Sequence, residues 1–112
     1  MPKQHIARAT LPMELLPILI RLGERICIAR KRRGWRIIDF AKKIGVSPPT
    51  MARIEKGEPT VAFGALATAL WALGLTDDLA RLADPTRDQV GLTHDLGRVP
   101  DRVKPKKLDN DF

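Results

Sequence analysis

The sequence predicts an all-α protein, a compact five-helix domain between flexible N- and C-terminal segments. Three observations carry that reading. Apolar residues recur at helical spacing on both sides of Gly45, with Phe40, Ala41 and Ile44 before it and Met51 and Ile54 after it. Two more helical patterns flank this hairpin, from Glu14 to Arg33 and from about Ala62 to Leu73. The chain has 112 residues and 44% hydrophobic content, enough for one modest core and too little for a second domain. The expected division is an arm over 1–13, the helical domain over 14–84 and a tail over 85–112.

The arm carries Lys3, His5 and Arg8 without a period and reads as a flexible basic segment. Pro17 is tolerable only in the first turn of a helix, so the first helix should start near Leu16. Its inner face is Leu19, Leu22, Ile26 and Ala29, while Leu15, Leu16, Ile18 and Ile20 make its beginning apolar on more than one side, which suggests a second contact surface. Arg30, Lys31, Arg32 and Arg33 suit the negative end of that helix. Cys27, between Ile26 and Ile28, reads as a small core or near-core residue.

The second helix should end at Gly45, where the turn needs a positive φ. Ser47, the only serine, stands before Pro48 and reads as an N-cap followed by proline at the first helical position. Ala41 lies where the second and third helices cross and keeps them close. After Gly57 and a short loop, the fourth helix should turn Phe63, Leu66, Ala67, Leu70 and Leu73 inward. Trp71 falls off that stripe, as a partner surface or a domain-edge residue. Gly74 ends this helix, and Thr76, Asp77 and Asp78 open a fifth, with Leu75, Leu79, Leu82 and Ala83 as its apolar stripe before Asp84-Pro85 stops it. From Thr86 onward no period is sustained, so the tail should be extended or disordered until bound.

The net charge of +7 and pI near 10.2 point to a polyanionic partner, with DNA, RNA and an anionic membrane all eligible on charge alone. The charge is unevenly placed. Residues 1–74 hold thirteen basic against five acidic side chains, whereas Leu75 to Gly97 has a net charge of −3, so the tail's first part is unsuited to phosphates. One cysteine forms no internal disulfide, and there is no CxxC or Cys/His cluster for zinc. The only histidines are His5 and His94, and there is no Walker-type glycine loop or paired acid signature. No enzyme and no cofactor is expected. The richest apolar run, Leu15 to Leu22, is broken by Pro17 and Arg21, so the expectation is a cytoplasmic protein without a membrane span.

The stretch GWRIIDFAKKIGVSPPTMARIEKG resembles the helix-turn-helix of the XRE family, the Cro and phage-repressor type, over roughly Leu22 to Leu75. Its first half, GWRIIDFAKKIG, is especially similar to HipB-like antitoxins. The resemblance implies a lambda-repressor-like fold whose third helix enters the major groove with its N-terminal residues at the base edges. The base-reading candidates are then Ser47, Pro48, Pro49, Thr50 and Arg53. For Arg53 a guanine contact and a phosphate clamp both stay open. Arg36, Lys42, Lys43 and Lys56 are the phosphate candidates, and a solvated helix face is their alternative. Arg30 and Glu55 match a structural pair that ties the first helix to the third. Two departures stand out: Ile37 replaces a polar residue, commonly glutamine, that meets a phosphate, and Pro48-Pro49 replace polar readers.

The resemblance further implies a homodimer on a palindromic operator of double-stranded DNA, with half-sites roughly 34 Å apart. It points to a transcriptional repressor acting as a HipB-like antitoxin, with a HipA-type toxin kinase as partner and Val90, Leu92, Leu96 and Val99 of the tail as anchors. A plain XRE-type or phage-derived regulator, an RNA-binding or scaffolding module, and a helical hairpin with no DNA role remain open.

Overall fold

A computed structural model of the chain describes residues 10–97. Residues 1–9, which include Lys3, His5 and Arg8 of the expected arm, and residues 98–112, which include Val99, lie outside the described residues. Among the described residues all regular structure is helical: α1 (Leu15–Arg32), α2 (Ile37–Ile44), α3 (Pro48–Glu55), α4 (Phe63–Ala72), α5 (Thr76–Ala80), a short 3-10 turn (Pro85–Arg87) and α6 (Gln89–Gly97). The chain forms two compact units, the first reaching Leu79 and the second beginning at Ala80.

Helix ends in the first unit follow local chemistry. Pro17 sits in the first turn of α1, where its missing N–H has no intrahelical role. Four successive helices end on a glycine of positive φ, Gly34, Gly45, Gly57 and Gly74. At Gly45 the φ is 75°, and the Val46 amide reaches back to the Ala41 carbonyl at 3.0 Å, closing the last turn of α2 in a Schellman arrangement. Ser47 then caps α3, its Oγ accepting the Thr50 amide at 3.2 Å.

The core of this unit forms where α1, α2, α3 and α4 converge. Ile26, Phe40 and Met51 are its largest fully buried side chains, joined by Ala29, Ala41, Ile54, Ala69, Leu70 and Leu73. Each large side chain of this set contributes about 1.5–3 kcal/mol through burial. Ala41, 1% exposed, lets α2 and α3 approach closely. Arg33 adds a polar tie: its guanidinium donates to the carbonyls of Ala29 and Leu73, each at 2.7 Å, linking the ends of α1 and α4.

Three details differ from the sequence reading. Phe63 is 63% exposed, and at the first position of α4 it lines an open groove with Leu19, Leu22 and Leu66, leaving Ala69 to fill the interior. The fifth helix is shorter than its apolar stripe, ending at Ala80; Leu82 is exposed, and Ala83 takes a φ of 57° that breaks the helical path. In the second unit the tail is not extended, because two aspartates start new turns. Asp84 Oδ1 accepts the Thr86 amide and hydroxyl at 2.9 and 2.8 Å, and Asp88 Oδ1 accepts the Gly91 amide at 2.9 Å, opening α6.

Candidate nucleic-acid interface

α3 has one buried and one open side. Met51, Ile54 and Glu55 are buried, while Ser47, Pro48, Pro49 and Arg53 are exposed and Thr50 is half-buried. The first turn is knit by its own side chains. The Ser47 hydroxyl donates to Thr50 Oγ1 at 3.0 Å, and an Arg53 guanidinium nitrogen lies 3.5 Å from the same oxygen. Ser47, Thr50 and Arg53 therefore share one face of α3, with the two proline rings at its leading edge.

Arg36 and Lys43 have intramolecular engagements that spacing alone did not suggest. Arg36 precedes α2, and its backbone N–H and guanidinium both donate to Asp39, at distances of 3.0 to 3.1 Å. The guanidinium first, and the backbone N–H second, hold the Asp39 carboxyl down from its ordinary 3.8 to about 2. Lys43 places Nζ 4.6 Å above the Trp35 ring, which itself packs at 5.4 Å on Phe40. Trp35, Asp39, Lys42 and Lys43 line one shallow depression beside α2. Trp35 is thus a positioning residue the sequence reading passed over; it lies just before α2, whose Asp39 and Lys43, four residues apart, line the same depression. Lys56, exposed, lies just beyond the C-terminal end of α3, away from the Ser47 cap. The first amides of α2, beginning with Ile37, precede the helix's own ladder and supply donors that the Ile37 side chain lacks.

Arg30 and Glu55 are buried and fix the angle between α1 and α3. Arg30 Nε meets Glu55 Oε2 at 2.7 Å and Nη2 meets Oε1 at 3.1 Å, a two-point pair. Arg30 Nη1 also donates to the Trp35 carbonyl at 2.8 Å, and Cys27 Sγ lies 3.6 Å from Nη2. The bond to Glu55 raises the arginine's already high pKa.

Residues 21–83 match the family described as helix-turn-helix domain, more than half of the chain. The chain belongs to the helix-turn-helix family. In this helix-turn-helix protein the match begins inside α1 and closes before the 3-10 turn, so α6 lies beyond it. No curated protein and no solved structure matches the sequence. Among the described residues no helix is long and apolar enough to cross a membrane. The helix-turn-helix assignment makes DNA the partner of the basic unit, with α2 and α3 as the paired helices of the motif.

Proposed function

We propose that the chain is a sequence-specific transcriptional repressor of the XRE type that binds a palindromic operator as a homodimer, with α3 in the major groove. The observation that carries this is the division of α3: its inner side is locked into the core, and its N-terminal outer face presents Ser47, Pro48, Pro49, Thr50 and Arg53 together. Arg36, Lys42, Lys43 and Lys56 are assigned to phosphates. The apolar beginning of α1, where Leu15, Ile18 and Ile20 are exposed, supports a second contact surface of the kind a dimer needs. Selection of duplexes from a random pool tests the reading, and an inverted repeat is the expected product. In that operator Arg53→Ala should cost about 1–3 kcal/mol of binding and relax preference at one position of each half-site. Equal weakening on every sequence would move Arg53 to the phosphate contacts.

The narrower form of the proposal is a HipB-like antitoxin that represses its own operon together with a HipA-type toxin kinase. It is supported by the similarity of GWRIIDFAKKIG to such antitoxins and by α6, where Val90, Leu92 and Leu96 are exposed. A full-length variant carrying Leu92→Asp and Leu96→Asp should bind the operator as the wild type does and lose capture of a kinase-like protein encoded beside it. Undiminished capture would remove α6 from that role. Operator binding with no such neighbour favours a plain XRE-type regulator.

A further inference from the structure

The first turn of α3 offers a base edge almost nothing polar. Pro48 and Pro49 hold its first two positions, both exposed, and proline has no N–H. The Thr50 amide is used by Ser47 Oγ at 3.2 Å, and the Met51 amide by the Ser47 carbonyl at 3.0 Å. The Ser47 hydroxyl in turn spends its hydrogen on Thr50 Oγ1. A helix start normally presents several unbonded N–H groups; here those of positions 48 and 49 are absent and that of Thr50 is occupied. What faces outward is two pyrrolidine rings, one threonine hydroxyl and, about a turn further on, the Arg53 guanidinium.

Resting on the reading that α3 enters the major groove, we infer that Pro48 and Pro49 select thymine, through its C5-methyl group, beside the base pair that Arg53 contacts. The thymine methyl is the apolar group that base pairs display in that groove. Proline rings pressed on any other edge strip water from donors and acceptors and return no partner, which disfavours those bases. The pair of prolines therefore reads by what it cannot bond.

The test uses the full-length protein. Once a half-site has been selected from a random pool, each thymine in it is replaced singly by deoxyuridine, which removes the methyl and leaves the pairing edge unchanged. At one or two adjacent positions affinity should fall about fourfold per methyl, and about sixteenfold when both half-sites are altered. With cytosine and 5-methylcytosine compared at the same position, the methylated base should bind about fourfold tighter. A variant carrying Pro48→Ser and Pro49→Ser should bind thymine and deoxyuridine sites equally. Equal wild-type affinity for thymine and deoxyuridine at every position overturns the inference, as does a half-site without thymine or an unchanged ratio in the variant. The wild-type comparison does not depend on whether the variant folds. A pool that yields no specific site overturns the DNA reading itself and this inference with it, a result distinct from specific binding that ignores the methyl.

Discussion

Replacing Glu55 by alanine is expected to destabilise the protein by about 3–5 kcal/mol, the cost of leaving a buried charge without its partner. The side chains of Arg30 and Glu55 are only 10% and 6% exposed, so water cannot take over the lost contacts without opening the junction of α1 and α3. Arg30 would keep its bond to the Trp35 carbonyl and lose both contacts to the carboxylate. Against a total stability of roughly 5–15 kcal/mol, such a loss brings a small domain close to unfolding at ordinary temperatures. Each kcal/mol shifts the melting temperature of such a domain by roughly 4–8 °C, so the change is large in a thermal scan. Removing both charges is a different experiment. With Arg30→Met and Glu55→Leu together no charge is stranded, and the loss should be much smaller than for Glu55→Ala alone. A melting temperature for Glu55→Ala within about 4 °C of wild type would show that the pair is not held dry in solution.

What the sequence made legible was the chemistry that acts over a few residues. Gly45 and the Ser47-Pro48 cap could be read because a positive φ and a cap each depend on local geometry, and both take the expected form. Phe63 could not be placed, because helical spacing says which side chains share a face and not whether another element reaches far enough to cover them. The position of α4 in the core leaves its first residue at the groove and brings Ala69 inside. α6 was missed for a related reason. Its apolar residues Val90, Leu92 and Leu96 make no continuous stripe, and the signal for it lies in Asp84 and Asp88 as caps, of which the sequence shows Asp84 beside Pro85 only as a stop. In the candidate interface, exposure of α3's first turn followed from the motif. The coupling of Lys43 to Trp35 and of Arg36 to Asp39 required three-dimensional placement.

A Gly57→Ala substitution should be about as damaging as the loss of Glu55, for reasons of backbone conformation and space. Gly57 ends α3 at a φ of 75°, with its amide bonded to the Ile54 carbonyl at 3.1 Å and the next amide, of Glu58, reaching the Arg53 carbonyl at 3.1 Å. A Cβ there meets the backbone of α1 directly, at the Leu19 carbonyl, with the Ile20 Cα only 2.7 Å away. Across the same junction a Cβ on Gly23 would sit 2.5 Å from the Glu55 carbonyl oxygen and 2.6 Å from the Gly57 nitrogen. The two helices pass backbone to backbone, and no side-chain rotation can relieve the contact. Left-handed backbone costs a residue with a Cβ about 1–2 kcal/mol, and forced overpacking adds about 1–3 kcal/mol, so Gly57→Ala should lose about 2–5 kcal/mol. Gly45→Ala is the control that separates the two effects: its φ is the same 75°, yet a Cβ there meets nothing within 4 Å. It should lose only about 1–2 kcal/mol. Urea denaturation of the two variants measures the difference, and equal midpoints would mean that α1 and α3 can part at no cost. Because α3 carries the exposed face assigned to DNA, parting them tilts that face. Gly57→Ala protein that remains folded should therefore bind its operator more weakly than Gly45→Ala does.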